Sequence, residues 1–487
     1  MSEVVIGLDL GTTSAKAVAF DLKGNVIEES EQLIETLYPK ESYVEQDPNA
    51  IVHSTQQVLT DIFSKTKENQ VLSIGISCAM HSLICVDEEG KALSNMLIWS
   101  DGRSSELVKQ LDPSLKKEIY TKTGTPIHPM SPLLKLLWMK EQDYEPYHKA
   151  NYFMSMKEYL LYQWFEKRVI DYSMASATGL MNVKSLDWEE QALELAGVNR
   201  SQLSQIVGPT EVMEGLKPEL ADQLGWPDGT PLVIGAADGQ LANLGDGAIK
   251  PGEVAVTVGT SGAIRQLIAG QKVNDNQETF SYAFTADSSI IGGPTNNGGI
   301  ALQWLKDLLE YEGSHDTFLE GAEDVPVGAD GLLFVPYVNG ERAPVWNQQA
   351  RGNFYGLSVT HRRPQLVRAV LEGIALNLYQ IGQSLEEIAG APTSISVNGG
   401  LSKSPLWVQI LADIFGQEIQ LSDTHHGAAW GAGWTSLVAI GKVDSFEAIK
   451  ENIPIDHVVK PNMDNHRAYQ EVFSRYQKLA KDVEKYF

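Results

Sequence analysis

Two short polar turns between apolar strands are the first places in this chain where chemistry could happen. One is Asp9-Leu10-Gly11-Thr12-Thr13-Ser14, and the other, about half a chain later, is Gly259-Thr260-Ser261-Gly262. Glycine lets a backbone approach a ligand closely, and successive hydroxyl and N–H groups can ring phosphate oxygens. Asp9 stands at the end of a strand facing such a ring, where it can hold Mg²⁺ directly or through water, because that ion takes few carboxylates and keeps waters. A single turn of this kind is an ordinary polar hairpin; two in matching settings make a clamp around one nucleotide. A third segment, Val397-Asn398-Gly399-Gly400, runs from a strand through two glycines into a helix, which allows a flat ring or a phosphate to lie against the backbone. Neither a Walker A pattern nor GxGxxG occurs, so P-loop and Rossmann readings lose their main support.

The elements that must hold these turns come in two rounds. Residues 4–9 form a nearly continuous apolar run, as in a strand buried on both faces. Strands follow at 15–20 and near Val26, then a helix over 49–64, then strands at 71–77, 83–86 and 96–99. In the second round, 253–258 and 263–268 repeat the opening hairpin, with further strands at 289–291, 332–336 and 394–397 and a long helix from Pro364. The turn-rich stretch 244–253 places a domain boundary that divides the chain into 1–246 and 247–487. The weakly polar stretch 427–441 suits a buried helix. The segment from His466 spaces Tyr469, Val472, Phe473, Tyr476 and Leu479 as a helix docked on the body, with a homodimer contact left open.

At 487 residues the chain is long enough for two or three domains. Its 38 basic and 63 acidic residues give a net charge of −25, a field that repels nucleic acid and anionic membranes. A locally basic cleft can still take an anionic small molecule. Cys78 and Cys85, the only cysteines, are too few for a disulfide framework or a thiolate zinc site and suit a reducing cytoplasm. The N-terminus lacks a basic n-region and is not read as a signal peptide.

Three strands, a helix and more strands, twice over, resemble the ribonuclease-H-like unit of the actin, Hsp70 and sugar-kinase superfamily. The fold class implied is α/β, with two such domains and a nucleotide cleft between them. Met130-Ser131-Pro132-Leu133-Leu134-Lys135-Leu136-Leu137-Trp138 resembles the first signature of the FGGY carbohydrate kinases. The second signature is matched from Gly352, Phe354, Gly356 and Leu357 through Gln365, Leu366, Ala369 and Val370 to Leu371 and Glu372.

By that resemblance, Asp9, Gly11, Thr12, Thr13 and Lys16 form the first phosphate and metal site, with ATP and Mg²⁺ as the implied cofactors. Gly259 and Thr260 form the second phosphate site, and Gly399, Gly400 and Ser404 the adenosine edge. Met80, His81, Trp99, Asp101 and Arg103 shape the sugar pocket, and Asp238 matches the catalytic aspartate. The chemistry agrees, since phosphoryl transfer to an alcohol needs in-line placement, charge neutralisation and a carboxylate to take the hydroxyl proton. The segments at 79–84, 171–180, 235–245 and 339–352 resemble the gluconate kinases most. Gly239, directly after Asp238, replaces the amide side chain common in xylulose and glycerol kinases. The implied reaction is ATP-dependent phosphorylation of D-gluconate to 6-phospho-D-gluconate. Xylulokinase-like ketose phosphorylation is the alternative, and a non-metabolic actin-like ATPase a more distant one. Lys16 is expected to serve phosphate, and Arg103 to hold the substrate carboxylate as a bidentate pair with His81 nearby.

Overall fold

The structure, a computed structural model, describes residues 2–421, 426–453 and 457–487. The first sheet is built from β1 (Glu3–Leu10), β2 (Ser14–Phe20), β3 (Val26–Leu33), β4 (Gln70–Cys78), β5 (Val212–Met213) and β6 (Leu232–Ala237), in the spatial order β5-β6-β4-β1-β2-β3. The second comprises β7 (Glu253–Val258), β8 (Gly262–Ala269), β9 (Phe280–Thr285), β10 (Ser288–Thr295), β11 (Ser394–Asn398), β12 (Ile419–Leu421) and β13 (His457–Val459), in the order β9-β10-β8-β7-β11-β12-β13. The two sheets share a common order of six strands, to which the second adds β9 at its edge. Each opens with an antiparallel hairpin whose first strand then takes a parallel neighbour, β4 beside β1 and β11 beside β7. The turns of both hairpins, and the chain leaving both parallel neighbours, therefore emerge at the same sheet ends.

Two expected strands lie outside these sheets. Ile84–Val86 pairs with Tyr152–Met154, and Met96–Leu97 pairs with Glu45–Gln46. Their apolar residues are buried by the largely helical layer between Cys78 and Leu232, which contains α1 (Pro132–Glu141), and a short buried run does not reveal which partner covers it. Likewise Leu333–Val335 forms a separate pair with Asn353–Tyr355.

Further helices are α2 (Asp238–Gly245), α3 (Gly299–Leu308), α4 (Arg363–Ala389), α5 (Pro405–Phe415), α6 (Gly427–Ala439) and α7 (Met463–Glu484). Helix α6 crosses over to lie on the first sheet. A Cβ on Gly7 or Gly75 would stand 1.9 Å from the carbonyl oxygen of Ala429 or Ala432, so both strands need glycine there. Around that contact a third core joins the rounds, with Val5, Val18 and Phe20 meeting Phe284, Trp430 and Trp434. Helix α7 buries Tyr469, Val472, Phe473 and Tyr476 against the second core, and the Tyr469 hydroxyl meets Arg368 and Glu372. Glu372 of the second signature is thus a packing residue.

Candidate active site

Each polar turn is closed by a hydrogen bond from its first glycine, to the carbonyl three residues on in one and two residues on in the other. The Gly11 N–H donates to the Ser14 carbonyl at 3.0 Å, and the Gly259 N–H to the Ser261 carbonyl at 2.9 Å. Helix α3 begins against the second turn, its Gly299 and Ile300 N–H groups donating to the Gly259 and Thr260 carbonyls at 2.7 and 3.0 Å. A cavity of about 820 Å³ opens there, lined by Ile300, Gln303, Gly400, Leu401 and Ser404. Gly399 has φ 94° and packs against the Val258 backbone, whereas a side chain on Gly400 would meet nothing within 4 Å, so the second glycine borders open space. The Ser404 hydroxyl caps α5 by accepting from the Trp407 N–H at 3.3 Å.

A second cavity, of about 390 Å³, lies on the other side of the same turn. Its walls include Met80, His81, Trp99, Asp238, Arg265 and Arg342, and it shares Gly259 and Thr260 with the first. One cavity wide enough for a nucleoside and one of sugar size therefore meet at a phosphate-type turn.

Asp238 is the first residue of α2, where the helix N-terminus favours an anion. Burial nevertheless raises its pKa to about 6, helped by the Asp9 carboxylate and opposed by the Gly239 N–H, Arg265 and Lys157. Asp9 is also raised, mainly by burial, although Ser77 donates to its Oδ1 at 2.7 Å and Lys16 and His426 act to lower it. Two carboxylates with raised pKa that repel one another fit a divalent cation. Among the described residues no group of three or more His, Cys, Asp or Glu could hold a metal ion.

The backbone ahead of Asp238 is clamped by buried groups. Lys157 Nζ donates to Asp171 Oδ2 at 2.6 Å and to the Ala236 carbonyl at 2.9 Å. The Ala237 N–H donates to Ser173 Oγ at 2.8 Å, and that hydroxyl donates to Asp171 Oδ1.

His81 adopts a left-handed backbone, φ 67°, uncommon for a residue with a Cβ and typical of functional positions. Its Nδ1 lies 2.8 Å from the Ala177 carbonyl, which can only accept, so Nδ1 carries the proton. Burial, with the Lys135 and Arg342 cations, pushes the ring to about 3, leaving Nε2 a neutral acceptor for a hydroxyl. Lys135, from the first signature, donates to the His81 and Ile98 carbonyls and ties the two sugar-pocket segments together. Trp99 donates from its ring N–H to Thr12 Oγ1 at 3.1 Å, linking that pocket to the first turn, while Thr13 is exposed.

Asp101 and Arg103 correct the sequence expectation, for neither lines the cavity. The Arg103 guanidinium is 1% exposed, donates to both Asp101 oxygens at 2.8 Å and to Glu45 Oε1 at 2.6 Å, and lies against the Tyr43 and Trp138 rings. Its charge is spent internally. Arg103→Ala is expected to destabilise the protein by about 3–5 kcal/mol, because Asp101 and Glu45 stay behind unpaired, and to raise the KM of charged and neutral substrates alike. Thermal melts with a two-substrate KM comparison check this, and a selective loss of acid substrates would contradict it. Lys16 is partly used as well, with Glu31 at 3.5 Å.

The cations facing the cavity are Arg265 and Arg342, which sequence reasoning did not single out. Arg265 donates to Thr257 Oγ1 at 3.2 Å and Arg342 to the Thr295 carbonyl at 3.3 Å; both Nε atoms are buried without a partner. Burial lowers both, Arg342 to about 10, which leaves Arg342 charged at neutral pH. Arg265 did leave a signal, as one charge inside the apolar run 263–268.

Two repeated sheets with phosphate-type hairpins, a nucleoside-sized cavity and a base-like aspartate beside a sugar-sized cavity define a kinase of the actin-like, ribonuclease-H-like superfold. The sequence matches the FGGY family of carbohydrate kinases over residues 4–245 for its N-terminal domain and 254–440 for its C-terminal domain. The chain belongs to this family and is an ATP-dependent carbohydrate kinase. It is 40% identical to the gluconokinase of Bacillus subtilis, covering 99% of this chain and 97% of that one. It is 30% identical to a xylulose kinase of Staphylococcus epidermidis, with coverage of 99% and 97%. Two solved structures from Lactobacillus acidophilus, a gluconate kinase and a ligand-bound xylulose kinase, each superpose with a TM-score of 0.96 at 33% identity, covering 99% of this chain and 98% of the other. No helix among the described residues is long and apolar enough to cross a membrane.

Proposed function

We propose that this chain is a gluconokinase, transferring the γ-phosphoryl group of ATP to the 6-hydroxyl of D-gluconate. The observation that carries the reading is the meeting of the two cavities at Gly259 and Thr260, with Asp238 facing the smaller one. Adenosine fits the larger cavity against Gly400 and Ser404, with Gly399 seating that turn on the Val258 backbone, and the phosphates then run along Gly259–Thr260 toward Gly11–Thr13 and Lys16. Asp238 accepts the proton of the attacking hydroxyl, and a pKa of about 6 suits a base working near neutrality. Mg²⁺, held through Asp9, supplies neutralisation of phosphate charge when bound. The domains 1–246 and 247–487 each bring one hairpin. Met80 and Trp99 flank the sugar, and His81 Nε2 accepts from one of its hydroxyls. Buried free thiols at Cys78 and Cys85 suit a reducing cytoplasm.

Gluconate is favoured over xylulose by the higher identity to a gluconokinase and by the two cavity arginines, which answer a negatively charged substrate. The test is ADP release measured with D-gluconate, D-xylulose, glycerol and no sugar. Gluconate is expected to give the highest kcat/KM by at least about tenfold, the worth of one modest charge-assisted contact. Xylulose outperforming gluconate would overturn the substrate assignment, and ADP release independent of any sugar would favour an ATPase role.

A further inference from the structure

We propose that Arg342 is the residue that selects a carboxylate-bearing substrate, by pairing with the acid group at the end of the sugar chain remote from phosphoryl transfer. The proposal rests on the gluconate reading above and names the specificity determinant within that site.

Arg342 lines the smaller cavity beside His81 and Trp99, with its guanidinium 5.0 Å from the Trp99 ring centroid. Stacking on an aromatic face holds the planar group while leaving its edge available for a bidentate pair. The only hydrogen bond of its guanidinium among the described residues is the long one to the Thr295 carbonyl, and its Nε is buried without a partner. The neighbouring carboxylate acts on it through charge alone and takes no hydrogen bond from the guanidinium among the described residues. Glu341 is buried and accepts from Thr295 Oγ1 at 2.7 Å, the Asn296 N–H at 2.8 Å, Asn297 Nδ2 at 3.0 Å and Asn377 Nδ2 at 3.1 Å. It also accepts the backbone N–H of Arg342 at 2.8 Å. Glu341 is thus satisfied by neutral donors and fixes the Arg342 backbone, while the guanidinium faces the cavity. A desolvated cation without a hydrogen-bonded counter-ion is costly, and an anionic ligand relieves that cost.

Arg342 is distinguished from Arg265 by where each acts. Arg265 is the cavity cation that bears on the Asp238 carboxyl, and it donates to Thr257, two residues before the Gly259–Thr260 turn. That is the phosphoryl-transfer end. A Cβ on Gly239 would come within 3.9 Å of Arg265 Cδ and 3.2 Å of Met80 Cε, so the missing side chain keeps this end open. Arg342 acts on His81, His128 and Tyr282, and Glu341 and Tyr282 both act on it ahead of Asp238. In a linear six-carbon acid phosphorylated at one terminus, the carboxylate is at the other. His81 cannot take it, since its neutral Nε2 accepts, and Arg103 is already paired.

The test compares D-gluconate with D-glucitol, which keeps the chain and exchanges the carboxylate for a hydroxymethyl group. The wild-type panel settles the gluconate reading first; a wild type preferring neutral sugars sinks that reading and this proposal together. Given a gluconate preference, Arg342→Gln is expected to raise the gluconate KM, and its calorimetric Kd without ATP, about ten- to a hundredfold. The glucitol KM, or its inhibition constant if it is not phosphorylated, should move less than about threefold, as should kcat at saturating gluconate. Arg342→Lys keeps the charge but loses the fork, so it should recover only part of the affinity and serves as the readout if the glutamine variant does not fold. Equal losses for both ligands, wild-type affinity in Arg342→Lys, or Arg265→Gln alone abolishing the gluconate preference would each overturn the assignment.

Discussion

Asp238→Asn is expected to lose about 10²–10⁴ in kcat, the usual worth of a positioned base, while the folded protein becomes more stable at neutral pH. The stability half follows from the raised pKa. Asp238 is near 6 in the folded state against 3.8 as a model value, chiefly through burial and secondly through Asp9. Between those values the folded protein holds a proton that the unfolded chain has released, so the contribution is most favourable below the unfolded pKa and is lost as pH rises toward 6. At pH 7 the carboxylate is charged in a site that disfavours it. Asparagine keeps the shape and removes the charge, which should add of order 1–3 kcal/mol, after allowance for the carboxyl edge open to the cavity. The wild-type kcat/KM should rise with pH through about 6 and then level, because only the deprotonated form can take the hydroxyl proton. Thermal melts at pH 5 and 7.5 and a pH–rate profile check both halves. A variant retaining more than about a tenth of wild-type turnover would remove Asp238 from the base role, and a melt lower at pH 7.5 than wild type would contradict the electrostatic account.

The hairpins were legible because each is a polar interruption between apolar runs, and because the second repeats the first. Helix α6 was legible as a buried element from its glycines, but its docking on the first sheet was not, since nothing in 427–439 names Gly7 and Gly75 as its partners. The sugar pocket divides in the same way. Met80, His81, Trp99 and Asp238 come together at one cavity, as the family resemblance implies. Asp101 and Arg103 do not, because an arginine's charge is committed or available according to neighbours distant in sequence. Glu45, which takes the Arg103 guanidinium, is such a neighbour. Arg342 illustrates the converse, for Glu341 directly before it reads as its natural partner. Only the fold shows that glutamate occupied by Thr295, Asn297 and Asn377 instead.

Lys157→Met is expected to destabilise the protein by about 3–5 kcal/mol, the cost of leaving a buried carboxylate unpaired, and to move the acid limb of the kcat/KM profile to higher pH. Lys157 and Asp171 are each 1% exposed and 2.6 Å apart. Asp171 caps the helix Tyr172–Ala177 with its other oxygen, accepting the Ser173 and Met174 N–H groups at 3.1 Å each, so it cannot turn away to find water. The same lysine donates to the Ala236 carbonyl, and Ser173 receives the Ala237 N–H, so the two residues before Asp238 are held from both sides. Removing the lysine therefore loosens the strand end that aims the base. It also withdraws one of the cations that lower the Asp238 pKa, leaving burial and Asp9 less opposed. Lys157→Met with Asp171→Asn separates these effects. Asparagine can still cap the helix and leaves no buried charge, so most of the stability should return. The withdrawn cation is not replaced, so the acid limb should stay displaced. If the double variant melts as low as the single one, the penalty is lost packing around the lysine stem rather than an unpaired carboxylate. If both profiles overlay the wild type, Lys157 has no electrostatic hold on Asp238.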